Sequence, residues 1–535
     1  MPAHLNAARG TRAMAVAPHG LASQSALAVM RDGGNAVEAM IAAAATIAVV
    51  YPHMNSLGGD GFWLIARPGH APLALDACGA AAAGATLAHY RDQGLRSIPF
   101  RGGLAANTVA GTVSGWQAAF EWQQGALAGR LPLQRLLADA IDYARDGIPV
   151  TDSQSRCTAT RQRELADVHG FAQTFLLEGQ APLPGQRFHQ PRLADTLAHL
   201  AKAGLSDFYQ GELARSMAVE LEAAGSPLRI GDLQAHRAQW REPLALSHSR
   251  GTVYNFPPPT QGLVSLLILG QLDRLLTPEM DSLSAPFVHA CVEATKRAFA
   301  IRDAHITDPA YMRREAQDFL TAERLDAMAA VHDPMQAAPW GTGVGPADTV
   351  WMGAVDESGV AVSFIQSLYH EFGSGIVLPS SGVNWQNRGC GFSLDPSARN
   401  PLTPGRKPFH TLNPAMARLA DGRVLVYGNM GGDGQPQSQS AVFSRIVHMG
   451  LNPQQAIDAP RWLLGRTWGA SSDNLKLEAR FGPVCIDALK ARGHDVEVLS
   501  DYDESMGHAG AIVRHPDGSL EGGSDPRSDG AVAAW

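Results

Sequence analysis

Chemistry could start at the junction Asp348-Thr349. A flexible Gly/Pro-rich tract, Gly341-Thr342-Gly343-Val344-Gly345-Pro346-Ala347-Asp348, ends there, and a strand-like segment, Thr349-Val350-Trp351-Met352-Gly353-Ala354-Val355, begins. A hydroxyl residue at such a place is either the first residue of an edge strand or, after a backbone cut, a new N-terminus. A threonine hydroxyl alone is a poor nucleophile, but an N-terminal threonine carries its own general base in the free α-amine. That amine titrates at about 7.7–8.0 in model peptides, so part of it is the free base near neutrality.

Two glycine-rich turns invite a phosphate-binding reading. Gly58-Gly59-Asp60-Gly61 precedes a strand where a dinucleotide fingerprint would follow one. Gly431-Gly432-Asp433-Gly434 does follow a strand and precede a helix, yet it lacks the Lys-Ser/Thr of a P-loop, and Asp433 would repel phosphate. Two readings of this second turn stay open. It is a tight turn without a ligand, or the N–H groups of Gly431 and Gly432 converge on a developing oxyanion, where glycine lets the backbone approach a substrate carbonyl closely. Among 19 histidines, His289 lies four residues before Glu293 on a helix, and His305 and Asp308 follow it. With no HExxH run, these read as structural histidines, and no metal site is expected.

The elements that must position these residues alternate in period. Residues 20–32 have helical periodicity ending at Gly33-Gly34, and Asn35 can cap a second helix over residues 36–50. A strand follows over 62–66, and residues 131–330 read as predominantly helical. After Asp348 the period becomes two: residues 350–355 and 360–366 form strands joined by the hairpin turn Asp356-Glu357-Ser358-Gly359. Residues 424–427 make another strand before the second glycine turn, and 438–449 a helix. Only the tract 336–348 breaks the chain conspicuously.

Bulk properties narrow the function classes. The chain of 535 residues carries 43 Lys+Arg against 51 Asp+Glu, a net charge of −8 with no basic block, which argues against nucleic acid as a partner. The longest apolar run, residues 36–50, is too short to span a bilayer. The first ten residues lack the apolar core of a signal peptide, so the cytoplasm is the expected location. Five scattered cysteines without CxxC spacing indicate neither a disulfide framework nor a zinc site.

Taken together, the chain resembles the γ-glutamyltranspeptidase family of N-terminal nucleophile hydrolases. The matching stretches, in family order, are Gly33–Ala39, Leu57–Phe62, Ala298–Asp303, Asp308-Pro309, Thr349–Gly359, Phe372–Gly375, Ser381-Gly382, Gln386-Asn387 and Gly431-Gly432. The resemblance implies a four-layer αββα sandwich, and a precursor that cuts itself between Asp348 and Thr349. A large subunit (1–348, ending in the tract 336–348) and a small subunit (349–535) would stay intertwined as a heterodimer, which could itself pair. It implies Thr349 as nucleophile, Ser367 as a hydroxyl bonded to it, Gly431 and Gly432 as the oxyanion hole, and no cofactor.

The departures carry information too. The family holds the α-carboxylate of a γ-glutamyl group with an arginine in the loop after Leu75-Asp76, and here Ala77-Cys78-Gly79-Ala80 has none. The Gln and Asp that hold the α-amino group are Arg388 and Gly391 here, the family's Ser-Ser pair is His410-Thr411, and its Asn before Phe-Gly is Tyr369. A guanidinium thus replaces an ammonium-binding site, and the expected substrate is a small anionic amide gripped by Arg388, Tyr369, His410 and Thr411. The runs Asp348–Gly353 and Tyr369–Gly375 resemble the branch that hydrolyses oxamate to oxalate and ammonia in purine and allantoin breakdown. Two other expectations are a γ-glutamyl transferase, hydrolase or acylase with an altered pocket, and an uncleaved binding protein of the same fold.

Overall fold

The computed structural model describes residues 6–340, 348–465 and 473–535. Of the tract 336–348 expected before the cut, residues 341–347 lie outside the described residues. Two seven-stranded sheets, antiparallel in every pairing, make the centre.

Three separate apolar cores define four layers. Met14, Phe62, Trp351, Ile365, Met416 and Val426 fill the space between the sheets. One outer core packs the helices Gly20–Arg31, Ala36–Val50 and Leu133–Asp146 beside the sheet holding Thr349. The other packs Gly262–Leu275, Ala285–His305 and Gly434–Val447 beside the second sheet. This is the αββα sandwich expected from the sequence.

Local chemistry explains the helix that backs the Thr349 sheet. Asn35 Oδ1 accepts from Val37 N and Glu38 N, and Glu38 Oε2 accepts in return from Asn35 N at 2.9 Å. All of Ala36–Val50 is buried, and its alanines let strand and helix backbones come close. The turn at 356–359 does two tasks. It closes the hairpin, and Asp356 Oδ2 accepts from Ala36 N at 2.8 Å, fastening the hairpin to the start of that helix.

The chain before Thr349 and the chain after it share both sheets. In one, Met14–Ala17, Asp60–Ala66, Leu73–Ala77 and Gln239–Arg241 combine with Asp348–Val355, Ala361–Tyr369 and Ala531–Ala534. In the other, Ala8–Gly10, Leu244–His248 and Gly251–Asn255 combine with Ala415–Leu419, Val424–Asn429, Ala509–Arg514 and Leu520–Ser524. A cut before Thr349 therefore leaves strand ladders joining the two pieces.

The predominantly helical reading of residues 131–330 is corrected over 239–255. Leu244–His248 and Gly251–Asn255 form a hairpin there, and the alternation of buried Leu244, Leu246 and His248 with more exposed Ala245 and Ser247 was its period-two signal. Among the described residues, no helix is long and apolar enough to cross a membrane.

Candidate active site

Thr349 occupies an irregularity in its strand. Asp348 pairs with Tyr369 and Val350 with Gln366, so two residues of the neighbouring strand, Ser367 and Leu368, stand opposite the single residue Thr349. Such a bulge re-aims side chains at a sheet end. Tyr369, just past it, takes φ +84°, a left-handed conformation that is costly for a residue with a large side chain. Thr349 is buried, and its Oγ1 has no hydrogen-bond partner among the described residues. Ser367 Oγ accepts from Tyr369 N at 2.8 Å, which ties it to the same bulge.

The strand that leads into the Gly431-Gly432 turn stacks on the strand that carries Thr349. A Cβ on Gly428 would meet Trp351 Cδ1 at 2.1 Å, and one on Gly353 would lie 3.5 Å from Val426 Cγ2. Strand Val424–Asn429 thus runs antiparallel over Asp348–Val355. Gly431 has φ +119° and Gly432 φ +53°, so this turn needs glycine. Among the described residues, neither N–H donates to a backbone carbonyl, whereas both carbonyls accept, from Gly434 N and Gln435 N.

A buried network the sequence reading did not single out holds this turn. Gln261 Nε2 donates to Gly432 O (2.8 Å) and Thr411 O (2.9 Å), joining the two loops that frame the pocket. Arg302 Nη1 donates to Gln261 Oε1 (3.2 Å) and to Asp433 Oδ1 (2.8 Å). Asp433, which argued against phosphate, is the anionic half of this buried pair. Gln261→Leu takes one hydrogen bond from each of Gly432 O and Thr411 O, leaving them to Gln435 N and Asn413 Nδ2, and so loosens the turn without touching Thr349. The expected result is a kcat lower by about tenfold with KM nearly unchanged, since small misplacements of oxyanion donors act on the transition state. A change confined to KM would detach Gln261 from the oxyanion turn.

Gly58 and Gly59 turn out to be packing glycines. A Cβ on Gly58 would lie 2.1 Å from Asn384 O, and one on Gly59 would lie 2.3 Å from Ser367 O. Gln386 N donates to Gly58 O at 3.0 Å, so the loop carrying Arg388 rests directly on this turn.

These loops bring together buried polar atoms that have no hydrogen-bond partner among the described residues. Arg388 is 1% exposed, and among the described residues its Nε, Nη1 and Nη2 make no hydrogen bond. Its guanidinium lies over the Tyr369 ring, 4.0 Å from the centroid. Burial pulls it below the usual arginine range, with Tyr369 and Asp60 acting the other way. Glu371, a candidate ion-pair partner for Arg388, is engaged by Arg161 at 2.8 Å instead. His410 is buried with both ring nitrogens unpartnered, and burial followed by Arg388 and Lys407 holds it well below the usual histidine range, hence neutral. Thr411 Oγ1 is likewise buried and unpartnered.

Away from this pocket, His289, Glu293 and His494 converge, as do His248, Asp273 and His448. In the first group His494 Nε2 and His289 Nδ1 are 2.7 Å apart, a hydrogen-bond distance, and the Lys296 ammonium sits 2.7 Å from Glu293 Oε1. In the second, His248 Nδ1 accepts from Arg250 N at 3.1 Å, which fixes the proton on Nε2, the atom facing Asp273 and His448. Both groups are hydrogen-bonded relays that fasten loops.

Comparison with known proteins gives this geometry a context. Residues 22–535 match the Gamma-glutamyltranspeptidase family model. The chain is 61% identical to the oxamate amidohydrolase proenzyme of Klebsiella pneumoniae subsp. pneumoniae, over 98% of this chain and 99% of that one. It is 29% identical to the glutathione hydrolase proenzyme of Escherichia coli, over 97% and 91%. The structure superposes on a cephalosporin acylase from Bacillus halodurans with a TM-score of 0.90 at 33% identity, covering 100% of this chain and 98% of the acylase. A match that runs through both sheets, the Thr349 bulge and the Gly431-Gly432 turn places the chain in the γ-glutamyltranspeptidase family.

Proposed function

We propose that the chain is a self-processing amidohydrolase whose substrate is a small amide bearing a carboxylate beside the scissile carbonyl, and that this substrate is oxamate. The observation that carries the reading is Arg388, a buried guanidinium whose nitrogens lack hydrogen-bond partners among the described residues and which lies over Tyr369, the residue paired with Asp348 before the candidate nucleophile. An unpaired buried charge is expensive unless a ligand supplies the counter-charge, and a planar carboxylate matches the guanidinium fork. A γ-glutamyl substrate would bring an ammonium group toward this cation. The relative at 61% identity is named for oxamate hydrolysis, which supports the same choice.

In the precursor, Thr349 Oγ adds to the Asp348 carbonyl, the Asp348–Thr349 C–N bond breaks, and water hydrolyses the resulting ester. The chain becomes subunits 1–348 and 349–535, held as a heterodimer by the shared sheets. In the mature enzyme Thr349 Oγ attacks the amide carbonyl and the Thr349 amine takes its proton. The N–H groups of Gly431 and Gly432 bear the oxyanion, and Ser367 holds the bulge in place. Ammonia departs with the proton held by the amine, and water then releases oxalate from the acyl-threonine. Arg388, over Tyr369 and beside His410 and Thr411, fixes the substrate carboxylate. The reading assigns the enzyme to the cytoplasm and to nitrogen recovery from purines and allantoin.

The test compares ammonia release from oxamate with cleavage of γ-glutamyl-p-nitroanilide by one processed preparation. Oxamate should be turned over faster. Faster turnover of the γ-glutamyl compound moves the chain to the transferase or acylase side of its family, and an intact, inert chain makes it a binding protein.

A further inference from the structure

Asp60 lies in the same buried cluster, beside His410, and has no part in the mechanism above. Its strand, Asp60–Ala66, adjoins Ala361–Tyr369, and Asp60 pairs there with Ser367, opposite the Thr349 bulge. The side chain is fully buried, and its two oxygens differ sharply. Oδ1 accepts three hydrogen bonds, from Gly79 N (2.9 Å), Gly111 N (3.1 Å) and Gln386 Nε2 (3.1 Å). Among the described residues Oδ2 has no hydrogen-bond partner, and it lies 3.6 Å from His410 Nε2, with Arg388 close enough to act on the carboxyl. Three donors saturate Oδ1 and lock the carboxyl plane, so Oδ2 is the atom left for a ligand.

The groups acting on Asp60 come from several elements. Arg388 attracts it, His410 is neutral, and Gln386 donates to it. Cys78 and Tyr209 also sense its charge, and burial keeps both in their protonated forms. Tyr369 stays protonated as well. Burial is the largest influence on the carboxyl and raises it to about 7, against the lowering effects of Gly79 N–H, Arg388, Gln386 and Gly111 N–H. A substrate carboxylate entering beside Arg388 would raise it further, because like charges disfavour ionisation.

We propose that Asp60 binds the substrate as a neutral acid, donating Oδ2–H to the carboxylate gripped by Arg388, so that each anionic amide enters together with one proton. The inference rests on the reading that the substrate is such an amide. It makes Asp60 a specificity-determining residue: ionised, it repels the substrate; protonated, it recognises it. The sign follows directly. The protonated form prevails below the carboxyl's titration and is lost above it, so KM is flat at low pH and rises about tenfold per pH unit above roughly 7. The Thr349 amine acts on kcat in the opposite sense, since it must be deprotonated.

The experiment measures KM and kcat for oxamate between pH 6 and 9 with the processed wild type and with Asp60→Asn. The asparagine oxygen can take the three donors of Oδ1, and its amide N–H then replaces Oδ2–H at every pH. The variant should keep the low-pH KM throughout, with a kcat profile like that of the wild type. A wild-type KM that stays flat to pH 9, or an Asp60→Asn KM that still rises, overturns the proposal. If the variant does not process, the pH dependence of the wild-type KM and of product inhibition by oxalate decides alone. Ammonia release with a flat KM sinks the Asp60 role only. No ammonia from oxamate at any pH sinks the substrate reading with it.

Discussion

Thr349→Ala is expected to leave a single 56.7 kDa polypeptide without amidase activity. The wild type should run as two bands. Scaling that mass over 535 residues gives about 37 kDa for 1–348 and about 20 kDa for 349–535. N-terminal sequencing of the smaller band should read Thr-Val-Trp-Met. The substitution separates chemistry from stability unusually well. Thr349 Oγ1 is buried without a partner, so removing it deletes an unsatisfied polar atom and no hydrogen bond among the described residues. Its Tm should equal or exceed that of the unprocessed wild type. Thr349→Ser, which keeps the hydroxyl, should still process. A smaller band with another N-terminus, or an intact wild-type chain that still hydrolyses amides, would remove Thr349 from the mechanism.

What the sequence showed and what it hid divide along the range of the interactions. The helix over Ala36–Val50 was legible because its determinants are local: Asn35 and Glu38 stand three apart and cap each other. The hairpin around residues 356–359 was legible in the same way. The αββα layering and the place of Thr349 came through resemblance, because no local pattern states that Val424–Asn429 lies over Asp348–Val355. The Gln261, Arg302 and Asp433 network was hidden for the same reason, since it joins residues 41 and 131 positions apart along the chain. Asp60 sat within a motif read for its glycines. Its own signal was present all along, an acid set among Gly59, Gly61 and buried apolar residues, where an ionised carboxylate is hard to keep. The hairpin at residues 244–255 was missed because helical stretches on both sides outweighed a short alternation.

Arg388→Gln should lower kcat/KM for oxamate about 10- to 150-fold, the equivalent of ~1.5–3 kcal/mol for a charge-assisted bidentate contact. Most of the loss should appear in KM, because the carboxylate is held in the ground state and the transition state alike. Arg388→Lys keeps the charge without the planar fork and should fall between the two. Stability decides what kind of residue Arg388 is. An arginine that braces the fold through ion pairs loses Tm when it is removed. Among the described residues Arg388 makes no hydrogen bond, Glu371 is paired with Arg161, and Asp60 attracts it without a direct bond, so its burial is a standing cost to the ligand-free protein. Replacing it with glutamine should therefore hold or raise Tm while activity drops, the pattern of a residue kept for binding at the expense of stability. A Tm that falls together with kcat/KM, and a loss that is the same for neutral amides as for oxamate, would assign Arg388 to the framework of the loop and leave the pocket without its anion receptor.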